Sequence, residues 1–202
     1  MHEIPTEYRV MINPSPDLAS VIEKQLVNIA RNIYNRDTKN VIYRVRATDK
    51  HTNPRKLFIS GMGEVLEGEI GLHMGISQIM LVNEYEEETL FEEMSKISKK
   101  INPFILKSTV LGDYGDNFTI FLAFSKNNDA DKLVSLIEQN MKPFFKGEGE
   151  KREILHFTLL YDDSSESNIR KAWKFIDESS LINMELPVSS LWLWKNKEGW
   201  KP

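Results

Sequence analysis

Glu153-Ile154-Leu155-His156-Phe157-Thr158-Leu159-Leu160-Tyr161 is the stretch that decides how this chain reads. It is a short apolar run holding one imidazole and one hydroxyl, two residues apart. Side chains two apart on a β-strand point to the same face. His156 and Thr158 therefore share one face, and Leu155, Phe157 and Leu159 share the other. A charged stretch, Lys146 to Glu153, precedes the run, and Asp162-Asp163-Ser164-Ser165 turns the chain after it. An imidazole beside a hydroxyl in apolar surroundings suits acid–base chemistry on an anion. A buried strand whose His and Thr bond to their neighbours has the same pattern, so one strand alone leaves both readings open.

Working outward, helices and strands follow one another without a strict βαβ rhythm. Tyr8–Ile12 is a strand, and Ser15 or Asp17 can cap the helix after it. That helix carries Leu18, Val21, Ile22, Leu26, Ile29 and Ile33 at helical spacing, to about Tyr34. Val41–Arg46 and Lys56–Met62 read as strands, and Ile70–Val82 as one long extended segment holding His73. Acidic residues from Glu84 to Glu88 open a helix where its dipole favours them, and Leu90, Phe91, Met94, Ile97 and Ile101 form its apolar stripe. Pro103 stops it. Phe104–Leu111 and Phe118–Phe124 make a hairpin around a turn at Gly112–Asn117. Asp129–Phe145 is a helix, the His156 strand follows, and Ser164 or Ser165 can cap a helix carrying Ile169, Ala172, Trp173 and Ile176. Leu186–Trp194 is the closing strand. This order indicates an α+β protein with helices packed on sheet faces, and nothing in it marks a linker.

A partner for His156 exists. Leu72-His73-Met74-Gly75-Ile76 has the same Leu-His-x-small-aliphatic form as Leu155-His156-Phe157-Thr158-Leu159. Each is followed by a polar turn and an amphipathic helix. A duplicated half would bring both His strands to one groove. Two imidazoles on opposite sides of a phosphorus can serve as general base and general acid. An unperturbed imidazole titrates near pH ~6.5, so both protonation states are accessible at neutral pH.

These residues resemble the two-histidine (2H) phosphoesterase superfamily, the LigT-like or cyclic phosphodiesterase family, whose signature is two His-x-Thr/Ser-hydrophobic motifs. The second motif stands intact as His156-Phe157-Thr158-Leu159. The first departs from it, with Gly75 where the hydroxyl belongs, and Ser77 on the same strand face is the stand-in hydroxyl. The resemblance covers roughly residues 8 to 194. It implies a single bilobal domain over residues 1–202, with the His73 strand in one half and the His156 strand in the other. The fold would be two antiparallel sheets with helices on the outer faces and a central groove. It also implies hydrolysis of cyclic phosphates or 2′-linked phosphodiesters without metal or cofactor. His73 and His156 would move the protons, and Thr158 would donate to a non-bridging oxygen, opposing the charge that develops there.

Composition narrows the partner. The net charge is −4 over 202 residues, whereas a protein that grips long nucleic acid usually carries a basic excess. A nucleotide or short oligonucleotide held in a local basic pocket fits better than a long duplex. With no Cys there is no disulfide, thiolate metal site or Cys nucleophile. Four isolated His give no ligand cluster. No apolar run approaches the ~18 residues of a membrane helix, and the N-terminus lacks a signal-peptide layout, so a cytoplasmic protein is expected.

Further candidates have two readings each. Arg44 and Arg46 make a phosphate-binding face or solvated edge positions. Trp192 and Trp194 share a strand face, as a base-stacking platform or as packing. Trp200, Tyr161 and Tyr8 could stack likewise. His51, in a turn-rich loop, and the terminal His2 read as solvated. Gly61-Met62-Gly63 lacks the Gly-Lys-Ser/Thr of a phosphate loop. Three functions follow. The first is a phosphodiesterase for cyclic or 2′-5′-linked oligonucleotides, of the kind phages use to destroy cyclic nucleotide alarm signals, or for RNA 2′,3′-cyclic ends. The second is a nucleotide or RNA binder without turnover, which Gly75 favours. The third is an unrelated α+β interaction protein with structural His.

Overall fold

A computed structural model describes residues 5–29, 32, 55–58, 63–65, 72–114, 119–145, 154–160 and 166–196. Arg44, Arg46, Tyr161, Trp200, His2, His51, the 41–46 strand and the Ser164/Ser165 cap lie outside them.

Alternation builds the first sheet. In β1 (Thr6–Ile12), Tyr8, Val10 and Ile12 enter the main core, while Met11 turns to the opposite face. Among the described residues β1 is flanked by β10 (Ser190–Asn196) on one side. On the other side lie β4 (Met74–Gly75) and β5 (Met80–Val82), end to end. β2 (Arg55–Phe58) and β3 (Gly63–Val65) continue the sheet beyond β10, and every pairing is antiparallel. The second sheet has the order β8 (Leu155–Leu160), β7 (Thr119–Ser125), β6 (Phe104–Tyr114), β9 (Glu185–Val188), also antiparallel. This is the α+β, two-sheet architecture that the sequence indicates.

Among the described residues four helices pack on the core: α1 (Pro16–Ile29), α2 (Glu87–Lys99), α3 (Asn128–Met141) and α4 (Glu166–Trp173). The first three begin where local chemistry demands. Ser15 caps α1, its Oγ lying 3.4 Å from the Leu18 amide, with Pro16 at the first helical position. Asn127 accepts the Ala130 N–H at 2.9 Å to open α3. Ahead of α2, a 3₁₀ turn at Glu84–Glu86 closes a capping box, with the Asn83 N–H donating to Glu86 at 2.9 Å. One contiguous apolar core runs from Tyr8 and Val10 through the stripes of α1, α2 and α3 to Phe157 and Leu191. At least 36 buried side chains share it, drawn from both sheets and from the helices.

Several boundaries differ from the sequence expectation. Ile70–Val82 is not one strand: the ladder breaks after Gly75 and resumes at Met80. Leu186–Trp194 is not one strand either, because β9 ends at Val188 in the second sheet and β10 starts at Ser190 in the first. Pro187 fits there, since β9 is an edge. Gly112–Tyr114, expected in the turn, extends β6. A 3₁₀ turn at Lys142–Phe144 with Pro143 ends the third helix earlier than expected.

A bulge at Ser108/Val110 re-phases β6. Before it Phe104, Leu106 and Ser108 face the core, and after it Leu111 does. Val110, Gly112 and Tyr114 thereby come to the face turned from the core. Buried Ser108 anchors the shift: its hydroxyl donates to Leu181 O at 2.5 Å and accepts from the Met184 amide at 2.9 Å. Between those partners Asn183 sits at φ 63°, which Asn tolerates better than most residues.

Candidate active site on the face turned from the core

In β8, Leu155, Phe157 and Leu159 are buried in the core, and His156 and Thr158 are half-buried on the opposite face. In the first sheet Met74 is buried in the core, so Gly75 and His73 occupy the opposite face by alternation. His73 is half-buried. β4 lies alongside β8, with Cα atoms of the two strands within 8 Å. The two His-bearing stretches therefore border adjoining strands.

Neighbours across the strands complete this face. Val110, Ala123 and His156 form one row over β6, β7 and β8, and Gly112, Phe121 and Thr158 form the next. Phe121 and Tyr114 contact the His156 ring, with centroids 5.1 and 5.7 Å away. The His156 Nδ1 lies 3.4 Å from the Ile154 carbonyl oxygen, which can only accept.

On the first sheet's half of this face, Arg9 stands opposite Trp194 and Met11 opposite Trp192 and Gly75. The expectation that Trp192 and Trp194 share a face holds. Trp194, however, is 6% exposed and packs against Met11 and Trp192 in a small second cluster. Its ring belongs to packing rather than to an open stacking surface, and the half-buried Trp192 is the more accessible of the two. Tyr8 is likewise buried in the main core, edge-on to Phe91.

Ser77 is corrected too. It does not stand in for the missing hydroxyl of the first motif. The strand is interrupted after Gly75, and Ser77, 3% exposed, repairs the ladder. Its Oγ accepts the Val10 N–H at 2.8 Å and donates to Gln78 O at 2.8 Å. Ile76 N donates to Val10 O at 2.9 Å beside it. A buried hydroxyl whose one hydrogen goes to Gln78 O has none left to donate to a phosphate.

Sequence reasoning missed Arg9, Gly112, Tyr114 and Phe121 on this face. The signal for Phe121 was there: Ile120, Leu122 and Phe124 alternate into the core, which sends Phe121 and Ala123 the other way. Tyr114 and Gly112 carried no such signal, because they read as turn residues. Among the described residues no group of three or more His, Asp or Glu could hold a metal ion, and no helix is long and apolar enough to cross a membrane.

No protein-family model matches the chain, and no curated protein matches it in sequence. Among solved structures it is similar to LigT of E. coli in complex with 3′-AMP. The TM-score is 0.47 at 14% identity, over 81% of this chain and 76% of that one. It is similar also to Usb1 of Kluyveromyces marxianus with uridine monophosphate, at TM-score 0.44 and 14% identity, over 93% and 92% of the two chains.

Proposed function

We propose that the chain is a phosphodiesterase in which His73 and His156 carry the two proton transfers and Thr158 steadies the phosphate. The observation that supports this is that two half-buried imidazoles stand on stretches bordering the adjoining strands β4 and β8. Two residues along from His156, Thr158 shares its face. In hydrolysis one neutral imidazole takes a proton from water as its oxygen bonds to phosphorus. The opposite imidazolium gives its proton to the departing oxygen as the P–O bond breaks. The pair ends with its protons exchanged and returns to the starting state through solvent. Each transfer is worth about 10²–10⁴-fold. The Thr158 hydroxyl donates to a non-bridging oxygen, where charge accumulates. Neither transfer calls for a metal.

The substrate class is a cyclic or 2′-5′-linked nucleotide. The acidic net charge of −4 disfavours long RNA, and the exposed side chains of Val110 and Tyr114 on the His156 face suit a nucleobase. Destruction of cyclic nucleotide alarm signals and trimming of RNA 2′,3′-cyclic ends are the two roles such an enzyme would fill. A second reading, binding without turnover, is favoured by Gly75, which leaves the first motif without a hydroxyl.

The test is hydrolysis in EDTA of a panel: 2′,3′-cyclic mononucleotides, 2′-5′ oligoadenylate, and 3′,5′- and 2′,5′-linked cyclic di- and trinucleotides. The expected result is turnover that His73→Ala and His156→Ala each abolish. Binding that raises the melting temperature without product would establish the second reading. Neither turnover nor binding would end both.

A further inference from the structure

We infer that Phe121, whose ring tip packs over Gly112, is a positioning residue for His156. This rests on the proposed function only in taking His156 as a proton-transfer group. An imidazole at a half-exposed strand position has a broad second torsion, so something must fix its plane if Nε2 is to meet a phosphate oxygen.

The aromatic pair supplies the constraint. Phe121 is only 6% exposed. Its ring lies 5.1 Å from the His156 ring at 54°, and 4.5 Å from Tyr114 at 32°. Tyr114 in turn meets His156 edge-on at 5.7 Å and 68°. All three separations fall in the range where aromatic pairs attract, about 4.5–7 Å.

Gly112 sets where that pair sits. It is mid-ladder in β6, opposite Phe121, and its backbone is outside the left-handed region, so no conformational need calls for glycine. The ring does. A Cβ at Gly112 would stand 2.5 Å from Phe121 Cζ and 2.9 Å from Cε2, well inside contact distance. β7 lies between β6 and β8. A side chain at position 112 therefore drives the ring toward Thr158 and His156. The absent Cβ is what lets the ring lie against the sheet and brace the imidazole.

The test has a readout that needs no substrate. The His156 ring C–H resonances of the full chain are followed by NMR, where the Phe121 and Tyr114 ring currents shift them. Phe121→Leu keeps apolar volume and removes the ring, and Gly112→Ala displaces it. Both are expected to move the His156 resonances and to leave those of His73 in place. Gly112→Ala is expected to cost much less stability when combined with Phe121→Leu than alone, because leucine lacks the atoms that the new Cβ strikes; such coupling marks direct contact. On 2′,3′-cyclic AMP in EDTA, both variants are expected to lower kcat by about 10–100-fold with KM nearly unchanged. Unmoved His156 resonances, or an equal cost of Gly112→Ala in both backgrounds, overturn the inference. Lost stability with kcat intact would make the aromatics merely structural and overturn it as well. If the native chain turns over no 2′,3′-cyclic AMP, that substrate fails, and the NMR and stability arms still decide the role of Phe121.

Discussion

Ser77→Ala separates a structural hydroxyl from a substrate-binding one. The change removes the acceptor of the Val10 N–H and the donor to Gln78 O, both at 2.8 Å. Val10 is fully buried, so water cannot replace the lost partner. A buried polar group left unpaired costs about 1–3 kcal/mol. Gln78 is only half-buried, and its carbonyl adds less. A total of about 2–3 kcal/mol follows from these bonds. At about 2–4 °C per kcal/mol for a chain of this size, the melting temperature falls by about 5–10 °C. The backbone bonds beside it are unaffected: Ile76 N still donates to Val10 O, and Met11 and Ile12 still pair with Gly75 and Met74. His73 therefore stays in place. Urea denaturation should show a lower midpoint at unchanged slope, and kcat well below the melting range should lie within about twofold of native, since no hydrogen bond to the transition state is lost. A loss under about 0.5 kcal/mol, less than one unpaired buried amide costs, together with a large fall in kcat would refute the reasoning and return Ser77 to the site.

Thr158→Val keeps the branched shape and deletes the donor, so kcat/KM should fall by about 10²–10³-fold with melting unchanged; full activity would remove Thr158 from the mechanism. At the edge of the core, Lys195 pairs with Glu87 and its ammonium lies 5.5 Å from the centre of the Tyr8 ring, tying β10 to α2. Both side chains are about one-fifth exposed. Lys195→Met, which removes the ammonium from the carboxylate, should cost about 1–3 kcal/mol, between the exposed and buried limits, as read by urea midpoint in low salt. No measurable change would show the pair to be solvent-screened. With one imidazole needed as base and the other as acid, kcat/KM should trace a bell against pH. A single limb that survives in His73→Ala would show that one His works alone.

The local pattern was enough to identify β6, β7 and β8 of the second sheet and the three long helices. In Leu155–Leu160 the period of two separates core from site without knowledge of any neighbour, and in α1, α2 and α3 the period of 3.6 does the same. His156, Thr158 and His73 could be singled out because their chemistry stands out against apolar surroundings. The sequence by itself thus determined which faces are apolar, and so the α+β class and the candidate imidazoles. What it could not determine was where backbone donors find acceptors across long separations. Ser77 reads as a site hydroxyl until Val10, 67 positions away, is seen to need it. Leu186–Trp194 reads as one strand until its two ends are seen to pair in different sheets. Gly112 reads as a turn until the Phe121 ring is found lying on it. Tertiary structure decided these because each depends on the close approach of residues distant along the chain, while periodicity reports only which side of its own element a residue faces.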